Sequence, residues 1–299
     1  MNQLNNIYLG SWGNFEYCTK NPKEFIKIIK NAQDLGISNF DTCQTYGNGE
    51  AEKAFNKSLS VSSKIHTKFH INSIKEDLSQ KLETSLKRLN RSYLDSFSLL
   101  WTPKENFKLE SIYKNLLKLK DTELIKKIGF SNINQENLEF FNNSKENFLI
   151  QNPFNLIYSH GKKTYQNLNS NHTILCYSPL GQGILSSLSE KKYLDIRKQN
   201  RLLNKAVLNS YKKIFLFLEV LSKKYELSFS SICIKWILYL ELKVILGVSS
   251  NKQLIEILNS LDTQIDNSDY KKLSELSANY AHKLSINDSL WNFHPEINK

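Results

Sequence analysis

Three side chains have the types needed to move a proton: Asp41, Tyr46 and Lys68. Asp41 closes an apolar segment inside the stretch Asn39–Glu50. Tyr46 follows five positions later, and a Gly-Asn-Gly turn at Gly47–Gly49 opens a helical pattern from Glu50. Lys68 ends the next apolar run. A phenol with an ordinary pKa near about 10 donates protons poorly at neutral pH. A neighbouring ammonium lowers that value by favouring phenolate, and a carboxylate holds the ammonium in place and charged. The trio predicts one proton-donating unit. The alternative is a buried Asp41–Lys68 ion pair with Tyr46 merely packed over it.

The elements that would bring these residues together follow from periodicity. Apolar runs of strand length alternate with longer segments of helical period, the pattern of repeated βα units. The candidate strands are Ile7–Gly10, Asn39–Thr42, Lys64–Lys68, Leu94–Leu100, Lys127–Ser131, Phe148–Gln151, Thr173–Tyr177 and Val244–Val248. Candidate helices lie at Lys23–Leu35, Glu50–Leu59, Lys75–Leu89, Asn106–Lys120 and Gln135–Phe141, with caps at Asn21-Pro22 and Asn134. A long link, Ser178 to Lys243, follows the seventh strand and holds helical segments near Ala206–Tyr225 and Ser228–Leu240. Another helix is expected near Lys252–Ser260, and one more in the tail Asp266–Lys299. No linker divides the chain, so residues 1–299 are read as one domain, an α/β (β/α)8 TIM barrel. The rival, a doubly wound sheet, would want a G-x-G-x-x-G turn after its first strand, and Leu9–Gly13 does not supply one.

A barrel demands that active groups gather at the carboxyl ends of its strands. Those ends carry Ser11 and Trp12, Asp41, Lys68, Trp101, Ser131 and Asn132, Gln151, Tyr177, and Ser249. Each can hydrogen-bond or stack. Trp12, Trp101 and Trp291 are candidates to line a substrate pocket.

The 299 residues carry a net charge of +11, which raises nucleic acid or an acidic membrane as partners. The lysines are scattered over helical faces with no basic run, which argues against both and leaves a phosphorylated small molecule as the ligand such charge would attract. Four separated cysteines, Cys18, Cys43, Cys176 and Cys233, form no C-x-x-C pair, so neither zinc nor a disulfide framework is expected. Cys43 is read as packing. His66, His70, His160 and His294 lack partners at metal spacing, and no metal site is expected. With no leader pattern, and with its most apolar stretches (Ile214–Leu221, Ile232–Leu240) short and interrupted by Glu219 and Lys235, the chain is expected to be cytoplasmic.

Ordered pieces along the chain resemble the aldo-keto reductases over nearly its whole length. They are Leu9–Gly13 (LGSWG), Phe40–Glu50 (FDTCQTYGNGE), Thr67-Lys68, Ser85–Leu89 (SLKRL) with Tyr93–Asp95 (YLD), and Ile128–Asn132 (IGFSN). Gln151–Leu156 (QNPFNL), Tyr177–Gly183 (YSPLGQG) and Leu246–Leu254 (LGVSSNKQL) complete the set. The resemblance implies a barrel that binds NADP(H) and moves hydride between the nicotinamide and a carbonyl or hydroxyl substrate. It implies Tyr46 as general acid, tuned by Lys68 and Asp41. Ser11, Trp12 and Asp41 are expected beside the cofactor, Ser131, Asn132 and Gln151 on its carboxamide, and Tyr177 stacked on its nicotinamide. The segment Ser178–Gly183, with Pro179, Leu180 and Gln182, resembles a pyrophosphate strap. Gly247, Ser249, Gln253 and Glu256 resemble the adenosine pocket, where Lys252 adds charge.

The chain departs from the family at two places. Ile257 stands where an Asn is common, leaving NAD(H) as the alternative cofactor. Trp101 stands where the family's His-x-Pro motif has its histidine, and an indole N–H donates a hydrogen bond but carries no proton. With Asp41, Tyr46 and Lys68 intact, the expected function is an oxidoreductase, with a sugar or nucleotide sugar as the suggested substrate, hence carbohydrate metabolism. The alternative is a catalytically weak NADPH-binding regulatory or interaction subunit. Oligomeric state stays open.

Overall fold

Short runs rich in Ile, Leu and Phe suit strands buried on both faces, and a computed structural model of the chain builds eight of them into one parallel sheet. The structure describes residues 3–16, 22–73, 75–159, 167–168, 171–187, 209 and 211–281. The strands are β1 (Ile7–Gly10), β2 (Asn39–Asp41), β3 (Lys64–Phe69), β4 (Ser96–Leu99), β5 (Ile128–Ser131), β6 (Leu149–Pro153), β7 (Thr173–Tyr177) and β8 (Lys243–Leu246). Each pairs with the next, and β8 returns to β1 through Ile7↔Val244 and Leu9↔Leu246, so the barrel is closed. A doubly wound sheet is thereby excluded.

The described helices, in chain order, are α1 (Trp12–Glu16), α2 (Pro22–Asp34), α3 (Glu50–Asn56), α4 (Leu78–Leu89), α5 (Asn106–Asp121) and α6 (Leu138–Asn143). They continue with α7 (Lys212–Tyr225), α8 (Phe229–Tyr239), α9 (Asn251–Asn259) and α10 (Asn267–Ala281). None is long and apolar enough to cross a membrane. Buried positions of α2 (Phe25, Ile28, Ile29) and α4 (Leu78, Leu82, Leu89) keep helical spacing and pack into one core with the outward strand residues Leu9, Phe40, Phe97, Phe130 and Ile150.

Several expected boundaries move, for local reasons. The fourth strand, expected over Leu94–Leu100, is shorter: Leu94 makes only an isolated bridge to Ile125, and Asp95 turns its carboxylate onto the Ile65 amide at 2.9 Å. The helix expected from Lys75 begins at Leu78, because the Asp77 side chain accepts the Ser79 amide at 2.8 Å and caps it there. The helix expected to Leu59 stops at Asn56. The Asn134 amide donates to Asn137 Oδ1 at 3.5 Å, and a 3-10 turn, Gln135–Asn137, precedes α6. Cys18, Asn21, His160, Trp291, His294 and the amino-terminal part of the expected Ala206–Tyr225 helix lie outside the described residues.

Strand alternation gives the barrel a second interior, its lumen. Near the amino ends this holds Tyr8, Asn39, His66, Ser96, Leu149, Leu175 and Ile245. Two residues further along the same strands come Gly10, Asp41, Lys68, Ser98, Gln151, Tyr177 and Gly247. Gly129 is obligatory between the two levels: a Cβ there would lie 2.0 Å from the Ser98 hydroxyl.

Candidate active site

β2 and β3 run side by side with Asp41 paired to His66, which places Lys68 one strand over and two residues along. Lys68 Nζ donates to both carboxylate oxygens of Asp41, at 2.8 and 2.7 Å, and both residues are buried. Gln151 Nε2, from the far side of the lumen on β6, donates to Asp41 Oδ1 at 2.9 Å. Burial pushes the Asp41 carboxyl upward, and Lys68 and then Gln151 pull against it. A carboxylate that accepts three hydrogen bonds at these lengths, two of them from the ammonium, is part of a charge-assisted pair. The half-buried Tyr46 lies above it, with Lys68 Nζ 5.4 Å from the centre of its ring. The three residues singled out first therefore meet, and Tyr46 faces the ammonium.

The remaining strand ends close around this unit. Ser131 Oγ donates to Gln151 Oε1 at 3.3 Å, which fixes the orientation of the Gln151 amide. Asn132, in left-handed backbone at φ 60°, donates through Nδ2 to the Leu100 carbonyl at 2.8 Å, and its Oδ1 accepts the Tyr177 hydroxyl. The Tyr177 ring is thus held through its hydroxyl, half-buried at the end of β7. Thr102, buried, donates through its hydroxyl to the Ser131 carbonyl at 2.8 Å, and Asn137 Nδ2 donates to the Pro103 carbonyl at 3.1 Å. With the Asn132 bond to Leu100, they hold the backbone on both sides of the half-buried Trp101, just beyond β4. Ser11 Oγ donates to Thr42 Oγ1 at 2.9 Å, joining the ends of β1 and β2 beside Trp12.

The segment after β7 turns sharply. Ser178 and Gln182 both adopt left-handed backbone, at φ 51° and 63°, and Asn155 Nδ2 donates to the Ser178 carbonyl at 2.9 Å. Pro179 is buried and Leu180 half-buried between them. Asn132 shares this conformation at the same end of the barrel, while Asn90, Glu123, Glu226 and Glu241 adopt it just past helix ends.

After β8, Gly247 faces open space, with nothing within 4 Å of where a Cβ would stand. Ser250 caps α9 by accepting the Gln253 amide, and Gln253 Oε1 turns back to accept both the Ser249 amide (2.8 Å) and its hydroxyl (3.0 Å). Lys252, Gln253 and Glu256 are exposed beside this cradle, and Ile257 is buried in the core rather than facing it. A helix start with a glycine-lined hollow and two hydroxyls suits a phosphate-bearing group. Cys43 is buried with its thiol pushed up by burial, in keeping with packing.

Sequence reasoning gave no role to Gln44, Glu52, Thr67, Ser85 and Arg88, which form a polar cluster directly behind the Tyr46 turn. One signal was available. Glu52 shares the buried face of α3 with Ala51, Ala54 and Phe55, where an unpaired carboxylate would not be tolerated.

With this geometry in place, comparison with known proteins is decisive on one point. The profile of the aldo/keto reductase family matches residues 6–278. The chain belongs to the aldo/keto reductase family. It is an oxidoreductase by that membership. Aldo-keto reductase YhdN of Bacillus subtilis is 27% identical over 262 residues, covering 79% of this chain and 78% of that one. Among solved structures, the glycerol dehydrogenase AKR11B4 from Gluconobacter oxydans superposes with a TM-score of 0.77 at 20% identity, covering 92% of each chain. A Klebsiella pneumoniae aldo-keto reductase solved in complex with NADPH gives 0.71 at 18% identity, covering 92% of this chain and 91% of that one. At those identities the superpositions speak for the family's barrel.

Proposed function

We propose that this reductase moves hydride between NADP(H) and a small carbonyl or hydroxyl substrate, with Tyr46 as its proton donor and acceptor. The observation that carries it is the placing of Lys68 Nζ, held by Asp41 at 2.7 and 2.8 Å and 5.4 Å from the Tyr46 ring centre. The residues present fit the cofactor: the Gly247 hollow with Ser249 suits its phosphate-bearing end, and the Ser131–Gln151 pair and the Tyr177 face suit the nicotinamide end. When bound, the cofactor supplies or takes the hydride. Tyr46 Oη gives a proton to the substrate oxygen during reduction and recovers it during oxidation. Lys68 stabilises the phenolate left behind, and Asp41 keeps that ammonium charged and aimed. Trp101 and Trp12 wall the place where the carbonyl would sit and exclude water from it. Aromatic walls and a basic exterior favour a sugar-like substrate.

A specific observation supports a second reading. Trp101 is pinned where a proton-capable side chain would orient the carbonyl, which suits a barrel that binds NADPH and regulates a partner while turning over weakly. One experiment separates the two. Fluorescence titration with NADPH, followed by turnover on aldehydes, keto sugars and lactols, is expected to show binding and reduction. Tyr46→Phe is expected to lower kcat by at least about a hundredfold while leaving NADPH affinity within about twofold. Equal turnover in the two proteins removes Tyr46 from the chemistry. Tight NADPH binding with no turnover of any compound leaves the regulatory reading standing.

A further inference from the structure

Behind the Tyr46 turn lies a buried carboxylate that the proposed chemistry does not use. Glu52, on α3, is fully buried, and its three donors come from two other elements, β3 and α4. Thr67 Oγ1, adjacent to Lys68 on β3, donates to Oε1 at 2.8 Å, as does Ser85 Oγ from α4. Arg88 Nη1, also on α4, approaches Oε2 at 3.3 Å. Packing two helices against a strand needs no charge, and a buried carboxylate is a costly way to achieve it. The cost makes sense where direction matters more than cohesion.

We propose that Glu52 and Arg88 are positioning residues that set the Tyr46 phenol at its working distance from Lys68. Arg88 Nη1 donates at 3.2 Å to the carbonyl of Gln44, whose own amide donates to the Lys68 carbonyl at 2.9 Å. The side chain of Gln44 returns to Ser85 Oγ at 2.8 Å. The residues on either side of the turn are therefore tied to the same pair. At its far end Gly49 has φ 91°, and a Cβ there would stand 2.5 Å from Arg88 Cζ, so the guanidinium lies flat against the turn backbone. Glu52 thus reaches Lys68 through Thr67 and reaches Tyr46 through Arg88. It touches neither substrate nor cofactor.

This proposal rests on Tyr46 being the proton donor, and its test separates the two claims. The Tyr46 phenol is titrated in the full-length protein by carbon-13 tyrosine NMR, its resonance assigned by its loss in Tyr46→Phe. Glu52→Gln keeps the shape and removes the charge. Arg88→Ala removes the guanidinium from a partly exposed site, and Arg88→Lys restores a cation. In Glu52→Gln and Arg88→Ala the ionisation constant of Tyr46 is expected to fall about tenfold. NADPH affinity is expected to stay within about twofold of wild type, with kcat on any turned-over carbonyl at least about tenfold lower and KM little changed. Arg88→Lys is expected to recover part of the shift. A Tyr46 titration unchanged in folded Glu52→Gln and Arg88→Ala overturns the proposal. So does failure of both to fold, or a loss of NADPH affinity and thermal stability without movement of that titration, since the pair is then structural. Failure of wild type to bind NADPH, or full turnover by Tyr46→Phe, would instead overturn the proposed function, and the titration would still decide the role of Glu52.

Discussion

The two ends of the barrel lumen are built from the same strands and solve the same problem differently. On β2, β3 and β4 the lower level is Asn39, His66 and Ser96, and the upper level, two residues on, is Asp41, Lys68 and Ser98. Below, the polar groups are neutral. His66 Nδ1 lies 2.9 Å from Ser96 Oγ and Nε2 3.3 Å from Asn39 Oδ1, with its ring 4.8 Å from that of Tyr8. Burial first, and then the positive field of Lys68, pushes the imidazole down to about 3, so it stays uncharged at neutral pH. Burial likewise pushes the Tyr8 phenol up, so that it too stays neutral. Above, an ammonium and a carboxylate are matched at 2.7 Å, with Gln151 as a second donor to the carboxylate. The same dry interior holds neutral groups at one level and a single matched pair at the other, the level proposed to face substrate.

Breaking the match should have the largest effect. Lys68→Met leaves Asp41 buried without its cation, and a loss of about 3–5 kcal/mol is expected in urea unfolding at pH 7. A loss under about 1 kcal/mol would mean that solvent reaches the upper level. The lower level is tested by acid. His66 binds its proton more weakly folded than unfolded, so the unfolded chain takes up the extra proton as pH falls below about 6.5. Its contribution to stability is therefore complete above that pH. It is lost progressively toward pH 3, by a total on the order of 4 kcal/mol. His66→Gln should lack this part of the acid slope; parallel slopes would place the proton elsewhere. The smallest effect concerns the rim below His66. Lys243 is pushed down by burial and then by Lys64, and neither has a carboxylate partner among the described residues. Lys243→Gln should raise stability by a few tenths of a kcal/mol at low salt, about the size of one like-charge contact, and the gain should vanish near about 1 M salt.

How much of this was legible in the sequence follows from the range of each interaction. Strand ends were readable because an apolar run must stop where the backbone leaves the sheet, which located Asp41, Lys68, Ser131 and Gln151. Their meeting was readable because neighbouring parallel strands juxtapose their ends. The hydrogen bond from Gln151 to Asp41 was not, since it crosses the lumen and depends on closure. Glu52 was overlooked for a similar reason. On its own helix it resembles Glu50, an exposed residue paired with Lys53 at 2.7 Å, and only Thr67, Ser85 and Arg88 distinguish the two. Leu94 shows the opposite limit: it is as apolar as any strand residue, yet hydrophobicity alone does not say where a ladder begins.

The bond between Gln151 and Asp41 joins residues 110 apart in the chain. Its two ends lie on β2 and β6, and nothing shorter than the intervening half of the barrel brings them face to face. Loop-closure entropy opposes that contact until the strands between are in place. The carboxylate that holds Lys68 is therefore expected to gain its third hydrogen bond late, as the sheet rolls up on itself. The site's readiness is in this sense a report on the closure of the whole ring, and a partly assembled barrel would carry the right residues without the alignment that makes them useful.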